Sequence, residues 1–246
     1  MALAVLIKKD SAMDDVSLAT APDLANEAPA NEAKGPSPYD LATQLVGKLC
    51  HDFISPTGAI ISGLDLLSDP QAADMRDDAI NLIQTSANKM VTLVHFARVA
   101  FGAASSAEAF SARELNKTLS DVFSTMRANL EFQIEDAIVF EKPAARALMN
   151  LGYIAGNALP TGGIATLTRE ETDTTIVLKS DSKGNRARLK PEAIEGLAGQ
   201  PLSDGLTGQW IQPFWLYSVV KEAGGTLEVT AEPDHLSLTI TLPKQG

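Results

Sequence analysis

The chain has 246 residues and a formal net charge of −11, enough length for one large or two modest domains with real cores. The acidic charge argues against a nucleic-acid-binding surface, which needs clustered Lys and Arg side chains. The single cysteine, Cys50, excludes an intramolecular disulfide, and no apolar run reaches the roughly 20 residues of a membrane span. We therefore expect a soluble cytoplasmic protein that binds neither nucleic acid nor membrane.

Residues 1–38 are predicted to form a flexible leader. From about residue 10 the segment consists mainly of Ala, Asn, Asp, Glu and Pro, with few large apolar side chains. Such a segment cannot bury enough surface to offset the entropy that it would lose on ordering.

Two amphipathic helices are predicted between residues 39 and 104. Apolar side chains spaced three, four or seven positions apart form one stripe on the first helix: Leu41, Leu45, Leu49, Phe53, Ile60, Leu64 and Leu67. Ser68-Asp69-Pro70 ends this helix, and the second carries a similar stripe. Two long helices joined by a short turn form an antiparallel hairpin. Because a lone hairpin leaves both stripes partly in water, we predict a homodimer built on a four-helix bundle.

From residue 110 to 246 the pattern indicates an α+β domain. Helices are predicted over 115–130, 143–158 and 212–223, and β-like runs over 175–178, 226–229 and 236–242. In the last run, apolar and polar side chains alternate, which is typical of a strand in a sheet with one buried face. The expected architecture is a layer of helices on one side of a mixed sheet.

A histidine followed by an acid lies inside the first predicted helix, in KLCHDFISP at residues 48–56. At about 100° per residue, His51 falls opposite the leucine stripe and should face water. Glycines on the same face are costly in a helix, by about 1 kcal/mol each relative to alanine, but they let another backbone approach. We predict receiver docking there through the residues of this face, Gln44, Gly47, Ser55, Gly58 and Ser62, and through Pro56, whose kink would free the Asp52 carbonyl.

An exposed neutral imidazole on a rigid helix suits reversible capture of a phosphoryl group. Lys48, one turn before His51, is predicted to neutralise charge on the phosphoryl group in transit. Asp52 is predicted to orient the ring or to accept a proton. For both charged residues the alternative is an ordinary solvated side chain. The remaining histidines, His95 and His235, lack such neighbours and are assigned no catalytic role.

His51, Asp52 and Pro56 resemble the phospho-acceptor box of sensor histidine kinases. The longer pattern LCHDFISP, with GAI at 58–60 and GLDLL at 63–67, is similar to ChpT-type bacterial histidine phosphotransferases, and the resemblance extends to the C-terminus. It implies a phosphorelay intermediate in which His51 carries a phosphoryl group between receiver-domain aspartates. The implied partners are receiver domains of a hybrid histidine kinase and of response regulators. Mg²⁺ would come with the receiver, so no cofactor is expected in this chain.

The C-terminal half resembles the ATP-binding α/β sandwich of histidine kinases, but its nucleotide motifs have changed. Kinases have an Asp-x-Gly-x-Gly loop at the adenine, whereas here Asp181 is followed by Lys183 and Asn185 at the glycine positions. Where a glycine-rich lid should precede the last helix, bulky side chains stand instead: Trp210, Pro213, Phe214 and Trp215. We therefore interpret 110–246 as a degenerate domain that serves as a second docking surface.

Two alternatives remain open from the sequence. One is an ATP-dependent histidine kinase with an unusual lid, in which Asn150 and Asn157, seven residues apart on one helix face, would hold magnesium. We favour a role for these two residues as caps or surface polar groups. The other is a non-catalytic dimeric scaffold that binds receivers, for which His51 would be dispensable.

Overall fold

The computed structural model describes residues 35–102 and 109–244. Residues 1–34 of the predicted leader and the predicted hairpin boundary at 104 lie outside these ranges. Within the described ranges, no helix combines the length and the apolar character that a membrane crossing requires.

The described residues form six α-helices and seven β-strands, and the first two helices precede all of the strands. The helices are α1 (Pro38–Ser68), α2 (Arg76–Ala100), α3 (Ala112–Phe123), α4 (Lys142–Asn157), α5 (Pro191–Leu197) and α6 (Thr207–Glu222). The strands are β1 (Ala109–Ser111), β2 (Ala128–Gln133), β3 (Val139–Glu141), β4 (Gly163–Glu171), β5 (Thr175–Lys183), β6 (Thr226–Glu232) and β7 (His235–Pro243).

Helices α1 and α2 pack against each other along the predicted hairpin. Ser37 caps α1 because its hydroxyl accepts a hydrogen bond from the Asp40 amide, while the Asp40 carboxylate accepts one from the Ser37 amide. Gly63 lets the two helices approach closely, since a Cβ atom there would lie 2.6 Å from Ile83 Cγ1. The turn between the helices begins at Asp69, where the sequence predicted it.

The main sheet has the strand order β2-β4-β5-β7-β6. β2 runs parallel to β4, and the other neighbours are antiparallel. Apolar side chains of α3, α4 and α6 share one buried core with alternate residues of β7: Leu236, Leu238, Ile240 and Leu242. The predicted mixed sheet with covering helices, and the predicted β6–β7 hairpin, are confirmed.

Two predicted helix boundaries in this part are wrong, and several shorter or more polar elements were not predicted. The helix expected over 115–130 ends at Phe123, and residues 128–133 form β2 with alternating exposure. β4, which carries several Thr and Glu residues, was missed. The last helix begins at Thr207 rather than at 212, so that Pro213 lies inside it. A proline usually marks the first turn of a helix, and this favoured the later start.

The hairpin packs directly on α6. Trp210, Ile211 and Phe214 form a buried cluster, and Leu41 and Leu45 of α1 pack against it. The bulky side chains found where a lid was expected therefore form the contact between the hairpin and the C-terminal part.

A buried hydrogen-bond network also ties the end of α2 to α4 and α6. The Ala100 carbonyl accepts hydrogen bonds from Asn150 Nδ2 and Trp215 Nε1, both at 2.9 Å. Asn150 also donates to the Arg146 carbonyl at 2.8 Å, and its Oδ1 accepts from Gln212 Nε2 at 3.2 Å. Asn150 is fully buried. The prediction that it is a cap or a surface residue is wrong, because its side chain holds the junction together.

Candidate functional site

His51 lies in the middle of α1, and 87% of its side chain is exposed. The prediction that the ring faces water is confirmed. Its neighbours Gly47, Ser55, Gly58 and Ser62 are exposed as well, so they form one continuous polar and small-residue face.

Among residues 35–102 and 109–244, the two glycines of this face have no packing role. Apart from their own stretch of α1, no described atom lies within 4 Å of the position that a Cβ would take at Gly47 or at Gly58. By contrast, a Cβ at Gly63 would clash with Ile83. Packing inside the chain therefore requires a glycine at position 63 but not at positions 47 and 58.

Two members of the predicted docking face do not present their side chains to water. Pro56 is buried and Gln44 is half-buried. Pro56 follows His51 by five positions, a rotation of about 140° around the helix, which turns it toward the leucine stripe. The Pro56 side chain is therefore not available for contact with a partner, and its expected effect through a kink in α1 stays a prediction.

Asp52 connects His51 to Lys48. Lys48 Nζ donates a hydrogen bond to Asp52 Oδ2 at 2.6 Å, and Asp52 Oδ1 lies 3.5 Å from His51 Nδ1. Only 7% of the Lys48 side chain is exposed. Its ammonium group is thus engaged with Asp52, although Lys48 and His51 line the same cleft. A direct role of Lys48 in neutralising the phosphoryl group stays a prediction.

Tyr153 of α4 lies beneath the Lys48 ammonium group, which is 5.3 Å from the centroid of the ring. Burial by itself would lower the pKa of Lys48, but Tyr153 and Asp52 outweigh burial and raise that pKa above its usual value. Lys48 therefore stays charged. The sequence contained no signal for this contact, because Tyr153 lies about one hundred positions further along the chain.

A cleft of about 680 Å³ opens beside His51, between α1 and the C-terminal part. Lys48, His51 and Asp52 line its hairpin side, and Arg188 and Lys190 line the side that follows β5. In the part of the chain that the structure describes, neither Arg188 nor Lys190 forms an ion pair. These unpaired cations make the rim of the cleft suitable for an acidic partner.

Two amide oxygens of the same cleft are buried and lack a hydrogen-bond donor among the described residues, Gln44 Oε1 and Gln212 Oε1. A buried acceptor without a donor costs about 1–3 kcal/mol. Gln212 was predicted to begin a helix, and its contribution to the cleft was missed.

The acid predicted to survive from an adenine-binding loop is engaged in internal contacts. Asp181 accepts from Lys179 at 2.9 Å and pairs with His235 Nε2 at 3.0 Å. Burial would raise the pKa of Asp181, but Lys179 and His235 outweigh it and hold that pKa below its usual value. His235 also lies 3.5 Å from Glu232, so this histidine has partners that the sequence did not indicate. No group of three or more His, Cys, Asp or Glu side chains in the described ranges is arranged to hold a metal ion.

Comparisons with known proteins agree with one another. Residues 112–235 match the family described as the histidine phosphotransferase C-terminal domain. The chain is 31% identical over 202 residues to the protein phosphotransferase ChpT of Brucella abortus (strain 2308), covering 81% of this chain and 94% of that protein. It is also similar to the solved structure of a bacterial phosphotransferase, at 27% identity and a TM-score of 0.74, covering 83% of this chain and 97% of the other.

Histidine kinases give a weaker similarity. The histidine kinase AdeS of Acinetobacter baumannii is 12% identical to the chain, with a TM-score of 0.43 and coverage of 80% and 98% of the two chains. A similarity of this size carries no conclusion about function.

Proposed function

The chain belongs to the ChpT-type histidine phosphotransferases, and from this premise we propose that His51 is the residue that carries the phosphoryl group. The chain is a histidine phosphotransferase of a phosphorelay. We place the group on His51 because this ring is almost fully exposed at the centre of α1 and opens onto the cleft. His51 would take the group from the aspartyl phosphate of one receiver domain and pass it to the aspartate of another.

The chemistry follows from the orientation of the ring. Since Nδ1 faces the Asp52 carboxylate, Nε2 is left to attack. The Nε2 lone pair bonds to phosphorus, the P–O bond to the receiver carboxylate breaks, and its electron pair returns to that carboxylate. The ring keeps its Nδ1 proton and becomes positively charged, and Asp52 stabilises that charge. A contact of 3.5 Å is long for a hydrogen bond, and such contacts shorten when the partner binds.

Receiver domains of a hybrid histidine kinase and of response regulators are the proposed partners. The exposed face of α1 around Gly47 and Gly58 would let a receiver backbone approach His51. Arg188 and Lys190 would attract acidic side chains of the same partner across the cleft. Mg²⁺ is expected to arrive with the receiver.

A homodimer is proposed from exposed apolar side chains of α1 between the leucine stripe, which includes Leu64, and the His51 face. Val46, Ile54, Ile61 and Leu64 are between 51% and 72% exposed, and they lie on one side of the helix next to the His51 face. Exposed apolar side chains of this kind are buried when two hairpins pair in a four-helix bundle. Light scattering during gel filtration should give the mass of two chains. Ile54→Asp combined with Ile61→Asp should give one, whereas Val139→Asp, at a different exposed apolar position, should remain dimeric.

We retain the proposed division into a leader (1–38), a phosphotransfer hairpin (39–104) and a degenerate ATP-binding-like domain (110–246). Three contacts support the loss of nucleotide binding: the Asp181 ion pairs, the buried Asn150 and the packing of α6 on the hairpin. Calorimetric titration with Mg-ATP should give no heat of binding. Labelling of the purified chain by ATP alone would contradict this and would support the kinase alternative.

The main experiment uses a receiver domain that carries a radioactive phosphoryl group. Mixed with the purified chain, it should transfer acid-labile, base-stable label to the chain. His51→Gln should abolish this label, while His95→Gln, at another exposed histidine of the same hairpin, should retain it. Label that persists in His51→Gln overturns the proposal. If the chain binds the receiver but is never labelled, the scaffold alternative is correct.

A further inference from the structure

We propose that Tyr153 is a positioning residue for phosphoryl transfer, and that it acts on His51 through Lys48 and Asp52. The inference rests on the proposed role of His51. It differs from that proposal in assigning part of the reactive arrangement to the C-terminal part of the chain.

The Asp52 carboxylate reaches His51 although the two residues are adjacent in α1. Adjacent residues of a helix point about 100° apart and do not normally face each other. The Asp52 carboxylate nevertheless places Oδ1 3.5 Å from His51 Nδ1. Its other oxygen, Oδ2, is fixed at 2.6 Å by Lys48, one turn earlier. Lys48 therefore selects the orientation in which Asp52 reaches sideways to the ring.

Two neighbouring groups keep Lys48 in this position. Its side chain is nearly buried, and a buried ammonium group is costly unless nearby groups stabilise its charge. Asp52 stabilises it from α1, and the face of the Tyr153 ring stabilises it from α4. Without Tyr153, the ammonium group would be more stable in water than in its buried position, so it would turn outward and release Asp52.

Tyr153 is itself held in place by neighbouring residues. Its ring packs against the buried Phe96 of α2, with ring centroids 5.2 Å apart. Its backbone carbonyl accepts a hydrogen bond from Asn157 Nδ2 at 2.8 Å. Tyr153 is thus held by both the hairpin and its own helix, and it provides a fixed support for Lys48.

Together these contacts give the C-terminal part a task that needs no nucleotide. His51, Asp52 and Lys48 belong to α1, but the support under Lys48 belongs to α4. The ring of His51 is therefore held in the attacking orientation only when the two parts are packed together. Residues that orient a metal-binding histidine through its hydrogen-bond partner typically cost about 10–100-fold in activity when they are removed, and we take the lower end of that range for Tyr153.

The test compares Tyr153→Leu with Tyr153→Phe in transfer from a phosphorylated receiver. Tyr153→Leu should lower the rate at saturating receiver by about tenfold and leave the half-saturating concentration unchanged. Tyr153→Phe keeps an aromatic face under the ammonium group but removes the hydroxyl that also favours the charged lysine, so its loss of rate should be smaller than that of Tyr153→Leu. Nitrogen NMR of the His51 ring should show that the fraction protonated at Nδ1 falls more in Tyr153→Leu than in Tyr153→Phe.

A double-mutant cycle supplies the control. If Tyr153 acts through Lys48, then Tyr153→Leu should have no further effect on the rate in a chain that already carries Lys48→Met. Additive effects, or a change confined to half-saturation, would overturn the inference and would assign Tyr153 to docking. If Tyr153→Leu does not fold, the ring NMR of Lys48→Met decides, because an unchanged tautomer there excludes the chain of contacts. These outcomes are separate from the fate of the proposed function, which depends on the label in His51→Gln.

Discussion

The exposed face of α1 and the buried junction at α4 use polar side chains in opposite ways. His51 is in water and its one contact to a side chain is long. Asn150 is fully buried and makes three hydrogen bonds of 2.8–3.2 Å inside the chain. A polar group whose bonding capacity is used internally stabilises the fold, whereas one that keeps unused capacity at a surface is available to a partner.

The same contrast separates the hairpin from the C-terminal part. On the hairpin, the His51 ring and its glycine neighbours are open. In the C-terminal part, Asp181 and His235 bond to each other, and Trp210 and Phe214 pack on the hairpin. These four side chains therefore stabilise the fold. The comparison predicts different consequences when residues of the two kinds are changed.

The largest effect on stability is expected for Asn150→Ala. The change leaves the Gln212 amide without its acceptor, takes one of two donors from the Ala100 carbonyl and opens a small cavity. We expect the free energy of unfolding to fall by about 2–4 kcal/mol in urea titrations. The matched control is Asn157→Ala on the exposed end of the same helix, which should change it by less than about 0.5 kcal/mol. Equal effects at both positions would show that the buried hydrogen bonds of Asn150 contribute no more to stability than the exposed side chain of Asn157.

A second expectation concerns two glycines of α1 that lie five positions apart. Gly63→Ala should destabilise the fold by about 1–3 kcal/mol, because the new Cβ would lie 2.6 Å from Ile83 Cγ1 and 3.0 Å from the Ala79 carbonyl oxygen. Gly58→Ala meets no atom and should stabilise the helix by up to about 1 kcal/mol. Thermal melts followed by circular dichroism show whether each substitution raises or lowers the melting temperature. Destabilisation by Gly58→Ala would show that this position has an internal role.

How far the sequence predicts the site depends on how local each feature is. The exposure of His51 follows from the periodicity of one helix, so it could be predicted. The support from Tyr153 depends on how α4 packs against α1, and helical periodicity contains no information about that contact. The burial of Pro56 also follows from periodicity, since five positions rotate a side chain by about 140° from the histidine and toward the leucine stripe.

The fold shows the same division. β7 was predicted because its apolar residues alternate cleanly, and the α1–α2 turn because Asp and Pro mark it. β2 was taken as the end of a helix, since Leu130 also fits the helical pattern that precedes it. The parallel pairing of β2 with β4 joins segments that are distant in sequence, and local signals do not encode such pairing.

The third prediction tests the docking face directly. Gly47→Leu places a large side chain four residues before His51, where an added Cβ meets none of the described residues beyond its own stretch of α1. It should therefore not destabilise the chain, but it should weaken receiver binding by about tenfold, or about 1.4 kcal/mol. Calorimetric titration with an unphosphorylated receiver measures this. A comparable substitution on another exposed face, Gln84→Leu of α2, is the control and should bind normally. Normal binding by Gly47→Leu would move the docking surface away from α1.

The smallest effect is expected for the internal contacts of Asp181. Lys179 and His235 hold the pKa of this carboxyl below its usual value in the folded chain. Its stabilising contribution is therefore present above the ordinary carboxyl pKa and is lost as the pH falls through the lower folded value. Because the group is partly exposed, Asp181→Asn should cost less than about 1 kcal/mol at neutral pH. The difference between this variant and the original chain should shrink as urea titrations move from pH 7 toward pH 3. A constant difference across that range would mean that packing, rather than charge, makes Asp181 part of the fold.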